Sequence, residues 1–391
     1  MNMHTHIAVL SFTLLIIILV SSISVSIASY TPTITIPSSG MVKEKVTVRK
    51  HLVVYPYTID DATAAFIASH FDLVDFDFGA TIGFEKIKAL NPDVIMVGYR
   101  DIMMMDSYLA DWAEVNLHED WFLHDVNGNR LILKDYGCYA MDVGNSGWRS
   151  HYANFVKAKL DAYPIADGIF ADDVWEWEDY SNDAWTVNRS LVPREIQQRW
   201  HNDMIGMIQY VKSVIGSKLL ILNTDDWTGD YLKYADGMML EGFVHASWWE
   251  LDYFGWAGFN PLSHVDILAD LSATGKYFLA QSGAASPTDP DKAHKMMLYC
   301  LGSFMLGVNG PKASFGWLFY HNALDGSGCY YPEMDTDIGA PQGKYYIKDG
   351  LYARDFEHGW VLVNFSTNTL STVMEGTTYI LEPHSAVIVE K

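Results

Sequence analysis

Eight short apolar or β-branched runs lie between residues 51 and 320, most followed by an amphipathic segment, and no glycine-rich phosphate loop follows the first. After about residue 340 the pattern becomes bare alternation without helices. Together these predict an α/β chain, a (β/α)8 TIM barrel followed by a small C-terminal all-β sandwich, rather than a doubly wound dinucleotide fold. The expected boundaries are 49–335 for the barrel and 340–391 for the β unit.

The elements follow in order. His51–Tyr57 is the first strand, and Asp60–His70 a helix with an acidic start. Leu73–Phe78 and Asp93–Arg100 are the second and third strands, with Gly83–Leu90 helical between them. A long excursion, Ile102–Gly147, interrupts the alternation, and insertions of that length in a compact domain are usually functional. The helix Trp148–Ala162 leads to the fourth strand, Asp167-Gly168-Ile169-Phe170-Ala171-Asp172. Pro193–Ile215 is the clearest amphipathic helix, entered through proline. Lys218–Asn223 is the fifth strand, and the sixth, Asp236-Gly237-Met238-Met239-Leu240-Glu241, repeats the fourth: Asp-Gly, apolar residues, then an acid. Lys276–Gly283 and Ser314–Tyr320 complete the eight, with helices over 263–274 and 291–306. The closing strands are read at 344–347, 351–355, 360–364, 378–381 and 386–389.

Residues 1–28 carry an apolar run, Ile7–Val20, and small residues near a cleavage point; they read as an export signal, or an uncleaved N-terminal anchor, before a Thr/Pro/Ser-rich linker over 29–48. A secreted or extracellular location follows. With 48 acidic against 26 basic residues, the net charge is −22, which disfavours nucleic acid and anionic membranes as partners. Thirteen tryptophans supply flat faces suited to sugars. Three cysteines make no disulfide framework. No Gly-x-Ser-x-Gly elbow is present. His118, His124, His245 and His321 are too scattered for a zinc site, and Asp335 and Asp337 near Asp325-Gly326 read as a solvated acidic loop, with a calcium site as the alternative, so neither metal nor cofactor is expected. Asn188-Arg189-Ser190 and Asn364-Phe365-Ser366 are glycosylation motifs compatible with export.

In a barrel of parallel strands, chemistry gathers where the strands end. Asp172 and Glu241 stand at such ends, and two facing carboxyls are what glycosidic-bond hydrolysis requires. Either Asp172 or Asp173 could instead cap the following element. Tyr57, Asp77, Tyr99, Arg100, Asp173, Trp175, Asn223, Gln281 and Trp317 are the substrate-binding candidates, with Asp75 and Tyr320 nearby in the pattern. Arg100 is expected to hold Asp172 ionised, while Met238, Met239, Leu240, Phe243, Trp248 and Trp249 give Glu241 an apolar setting that keeps it protonated.

Asp167-Gly168-Ile169-Phe170-Ala171-Asp172 resembles the Asp-Gly-x-aromatic-x-Asp strand of α-glucosidase-type barrels, and that resemblance implies Asp172 as nucleophile. Glu241 then falls on the strand that carries the acid/base there, where those enzymes commonly use Asp. The doubled Asp172-Asp173 departs from their single acid and leaves the nucleophile open by one residue. Residues 50–390 are similar to the hypothetical glycosyl hydrolase family 15 through Trp121-Phe122-Leu123-His124-Asp125 with Asn127-Gly128, Met141–Asn145, Gly168–Asp173, Leu240–Phe243, and Tyr352-Ala353-Arg354-Asp355-Phe356 onward to Asn364. The expectation is an exported glycoside hydrolase acting on a neutral or amino-sugar polysaccharide, with retention of configuration. A carbohydrate-binding protein without turnover on the same barrel is the alternative.

Overall fold

A computed structural model describes residues 48–79, 82–177, 184–186, 189–225, 228–255, 257–285, 289–319 and 327–391. The stretch expected to be an export signal or anchor, the expected linker up to residue 47, Asn188, Tyr320, His321, Asp325 and Gly326 lie outside them. Among the described residues, no helix is long and apolar enough to cross a membrane.

The strands are β1 (Arg49–Val54), β2 (Leu73–Asp77) and β3 (Ile95–Asp101), then a hairpin-like pair inside the excursion, β4 (Met104–Met105) and β5 (Tyr139–Ala140). They continue as β6 (Gly168–Asp172), β7 (Leu219–Asn223), β8 (Gly237–Glu241), β9 (Tyr277–Ala284) and β10 (Ala313–Phe319). Apart from β4 and β5 they close into one parallel barrel in the order β1-β2-β3-β6-β7-β8-β9-β10, so β2 and β8 face each other across it. β1 stops three residues before the predicted end, at Val54, because Pro56 cannot donate to the ladder and restricts Tyr55 before it.

The helices are α1 (Asp61–His70), α2 (Glu85–Leu90), α3 (Trp112–Val115), α4 (Ser146–Ala162), α5 (Arg194–Ile215), α6 (Pro261–Ser272) and α7 (Pro290–Gly307). Four begin on a side-chain cap: Asp60 for α1, Asn145 for α4, Asn260 for α6 and Asp289 for α7, the last two followed by proline in the first turn. Between β7 and β8 the described residues hold only a 3-10 turn, Tyr231–Tyr234.

Inside the barrel, Leu73, Val97, Phe170, Ile221, Met239 and Leu279 form a packed plug. The alternate residues of the same strands, such as Val74, Met96, Ile169 and Leu220, face the helices. The glycine of each Asp-Gly pair is required by crowding. A Cβ on Gly168 would sit 2.3 Å from the Leu219 carbonyl oxygen, and one on Gly237 would sit 2.5 Å from the Cβ of Tyr277.

After β10 come β11 (Tyr346–Lys348), β12 (Leu351–Phe356), β13 (Gly359–Asn364), β14 (Leu370–Met374), β15 (Thr377–Leu381) and β16 (Ser385–Glu390). They form a four-stranded antiparallel sheet, β11-β12-β13-β16, and a separate pair, β14-β15. Leu351, Trp360, Leu362, Met374 and Leu381 fill the space between the two. The other face of the larger sheet packs on α7, with Phe356, Val361 and Val363 joining Met297, Leu301 and Phe304 in one core. Arg354 seals this joint: buried, it donates from Nη1 to the carbonyls of Met305, Leu306 and Val308 at 3.0, 3.0 and 2.7 Å. A guanidinium thus caps the carboxyl end of α7, where the helix dipole favours a cation. The described residues all fall in one compact unit, within which the architecture changes near residue 340.

Candidate active site

Three successive strands, β6, β7 and β8, end in Asp172, Asn223 and Glu241. Their parallel pairing brings all three side chains to one end of the barrel, turned inward. Asn223 Nδ2 donates to Asp172 Oδ1 at 2.7 Å and to Glu241 Oε2 at 2.8 Å, so these oxygens are at most about 5.5 Å apart. Asp172 also accepts from the Tyr99 hydroxyl at 2.8 Å and from the Asp173 backbone N–H at 2.9 Å. Three donors therefore fix one carboxylate, and a single donor holds the other.

Burial pushes the Asp172 carboxyl up to about 6, helped by the charge of Asp173 and opposed by the bonds from Tyr99 and Asn223. Burial pushes Glu241 to about 7, with the charge of Asp172 next in weight and the Asn223 bond opposing. Deeper in the barrel, Asp75 is 2% exposed and its Oδ1 has no hydrogen-bond partner among the described residues. Its pKa is raised well above the carboxylate norm by burial first, then by the charges of Asp172, Asp77 and Glu241. Asp101 is raised in the same way by burial and by Asp173, with which it shares a hydrogen bond. Carboxylate oxygens of Asp101, Asp172 and Asp173 lie within 4.8 Å of one another, the one grouping with metal-ligand spacing among the described residues.

The structure sorts the candidates from the sequence. Tyr99, Asp172, Asn223 and Glu241 come together. Asp173 follows directly with a φ of 54°, a left-handed conformation that is uncommon outside glycine, and Trp175 Nε1 donates to its Oδ1. Asp77 lies on the inner face of β2, its Oδ1 accepting from the Gly79 N–H, and the exposed Tyr57 ring borders Gly79 on the rim.

Three candidates are corrected. Arg100 follows the inward Tyr99 and so points outward, where it pairs with Asp111 at 3.0 Å and lies over Phe155; it does not meet Asp172, whose pKa rises instead of falling. Trp317 is likewise on the outer face of β10, 1% exposed, packed with Phe304 and Phe315 in the layer around α7. Gln281 is 2% exposed and its side chain is engaged in the floor: Oε1 is 3.0 Å from His51 Nε2, and Nε2 donates to the Ser282 carbonyl at 2.8 Å.

Since the Gln281 amide donates elsewhere, His51 presents Nε2–H to Oε1 and accepts from Ser314 at Nδ1, 3.0 Å away. Burial lowers this imidazole to about 3, so it is neutral. His51 and Asp101 were missed as candidates. Asp101 had the same signal as Asp172, an acid on the last residue of a strand; His51 stands at a strand's start and offered none.

A parallel barrel with two carboxyls this close at the C-terminal ends of its strands has the architecture of a glycoside hydrolase. Residues 88–360 match the hypothetical glycosyl hydrolase family 15, and the chain belongs to that family. No curated protein matches the chain. Among solved structures it is similar to the GH31 dextranase of Flavobacterium johnsoniae complexed with glucose (TM-score 0.51, 12% identity, 88% of this chain and 50% of that one). It is also similar to the glycoside hydrolase domain of PelA from Pseudomonas aeruginosa (0.47, 13%, 74% and 97%) and to Aspergillus fumigatus Ega3 in complex with galactosamine (0.43, 12%, 70% and 92%).

Proposed function

We propose that the chain is an exported, retaining glycoside hydrolase of neutral or amino-sugar polysaccharides, with Asp172 as nucleophile and Glu241 as acid/base. The bracket around Asn223 carries this reading. Retaining enzymes hold their two carboxyls about 5 to 5.5 Å apart, whereas inverting ones leave roughly 6.5 to 9.5 Å for a water. An upper limit of about 5.5 Å between the bracketed oxygens supports direct attack by one carboxylate.

The two acidities support the division of roles. At neutral pH the group near 6 is mostly ionised, as a nucleophile must be, and the group near 7 is about half protonated. Attack by Asp172 on the anomeric carbon breaks the glycosidic bond while Glu241 gives its proton to the departing oxygen. The covalent ester removes the Asp172 charge, a main cause of the raised Glu241 pKa, so Glu241 becomes more acidic and suited to take a proton from the attacking water. Tyr99 and Asn223 aim the nucleophile throughout. Asp173, held by Trp175 and Asp101, is the positioning neighbour in this scheme.

The reading is tested with a polysaccharide panel scored by reducing-sugar release, followed by NMR of the first-formed anomer. Release with retained configuration is expected; an inverted product sinks the mechanism, and no release with intact binding favours the non-catalytic alternative. In Glu241→Gln, substrates with activated leaving groups should lose far less activity than unactivated ones, because they need little protonation.

A further inference from the structure

The connection after β8 is tethered more heavily than a surface loop needs. Gly242 and Phe243 both donate their backbone N–H to the Gln281 carbonyl at 2.9 Å. Ser282 Oγ donates to the Phe243 carbonyl at 2.6 Å, and Gly283 N–H to the His245 carbonyl at 3.1 Å. His245 Nδ1 donates to the Gly283 carbonyl at 2.6 Å, and Ala285 N–H to the Trp249 carbonyl at 2.8 Å. At its centre Val244 has a φ of 62°, closed by a 2.7 Å bond from His245 N–H to the Phe243 carbonyl. That is a γ-turn of the rare positive-φ kind, on a β-branched residue. Its N–H is satisfied by Nδ1 of the buried His264 at 3.0 Å. Strain of this sort persists only where the surroundings over-determine it, and it concentrates at functional sites.

This rigid loop ends in two tryptophans with opposite fates. Trp249 turns inward among His245, Tyr253 and Phe259. Trp248 is 50% exposed, and its Cη2 would lie 3.5 Å from a Cβ on Gly242, the residue after Glu241. A large apolar face is therefore held against the residue that follows Glu241, on a loop tethered to β9 on both sides of it.

We propose that Trp248 is the stacking platform of the leaving-group subsite, taking the face of a pyranose ring on the departing side of the scissile bond. This rests on Glu241 being the acid/base, since the ring next to a general acid is the one whose oxygen it protonates. The apolar CH face of a sugar covers an indole well, while its hydroxyls stay hydrated. Gly242 suits the approach: its φ of 81° is one other residues adopt only with strain, and a Cβ there would press on the Ala246 Cβ at 3.3 Å while only touching the indole.

The test compares two leaving groups in wild type, Trp248→Ala and Trp248→Phe. One substrate is a four- to six-sugar oligosaccharide of whichever dextran, galactan or chitosan series the enzyme cleaves; the other is the glycosyl fluoride of the same sugar, whose leaving group is a single atom. Trp248→Ala should lose roughly 100-fold in kcat/KM on the oligosaccharide, carried mainly by KM, and less than about threefold on the fluoride; Trp248→Phe, which keeps a flat ring, should recover most of the loss. Equal losses on both substrates, or no loss on the oligosaccharide, would overturn the platform. If wild type cleaves neither, the hydrolase reading falls instead. Calorimetric binding of the same three oligosaccharide series then decides: a tenfold weakening in Trp248→Ala supports the platform, and unchanged affinity overturns it.

Discussion

β6 and β8 each carry an acid at both ends, and the two ends are treated in opposite ways. At the start, Asp167 Oδ2 lies 2.7 Å from Lys88 Nζ and accepts the Met96 N–H at 2.8 Å. Asp236 Oδ2 lies 2.6 Å from Lys212 Nζ and accepts the Leu220 N–H at 2.9 Å. At the finish, Asp172 and Glu241 have no lysine or arginine partner among the described residues and share a neutral amide. The first pair staples neighbouring strands with compensated charge. The second pair is kept uncompensated, which is destabilising for the fold and is what leaves both groups able to exchange protons near neutrality.

The sharpest way to break this comparison is to neutralise one charged group at each end. Asp172→Asn should lower turnover by about 10⁴-fold or more on good and poor leaving groups alike. Full activity in Asp172→Asn together with loss in Asp173→Asn would move the nucleophile by one residue. In the wild type, kcat/KM should rise as the lower-titrating carboxyl ionises near 6 and fall as the other loses its proton near 7, a narrow bell whose limbs belong to the coupled pair. A broad plateau from pH 4 to 9 would contradict the uncompensated mouth.

Stability should move the other way. The Glu241 pKa is raised from 4.5 to about 7 on folding, so its contribution is fully present below about 4.5 and lost as pH rises through 7. Glu241→Gln should therefore be more stable than wild type at pH 8, by on the order of 1–3 kcal/mol, and lose that advantage at pH 4. Urea denaturation at the two pH values reads the difference directly. At the strand starts the sign reverses and the effect is smallest. Lys88→Met should cost about 1 kcal/mol, because the pair is partly solvated, while the pH–rate profile stays where it is.

The same contrast explains what the sequence made legible. Asp167 and Asp172 are identical letters five residues apart, and only the direction of the strand assigns one to the staple and the other to the mouth. That direction was readable because β-α alternation implies parallel strands, hence both Asp172 and Glu241 could be placed at the mouth where they share Asn223. Arg100 and Trp317 were misplaced because position near a strand end does not give the face; a one-residue step along a strand reverses it, and Arg100 follows the inward Tyr99. Asp75 drew notice only as a neighbour, since an acid inside an apolar run carries no sign of being buried with one oxygen left unpaired. In the closing sheets β14 escaped because Leu370-Ser371-Thr372-Val373-Met374 is half polar. Its hairpin signal lay in Glu375-Gly376, with φ values of 48° and 84°.

Arg354 has a consequence for how the chain is made. The last carbonyls of α7 are capped by a guanidinium 46 residues further on than Val308, so while the ribosome still holds that stretch they have only water to bond to. During synthesis the nascent barrel exposes the apolar side of α7 that the sheet later covers, among it Leu301 and Phe304. The β unit therefore acts as a timing device: cooperative closure comes late, and the interval before it is when the chain is most open to aggregation or to a chaperone.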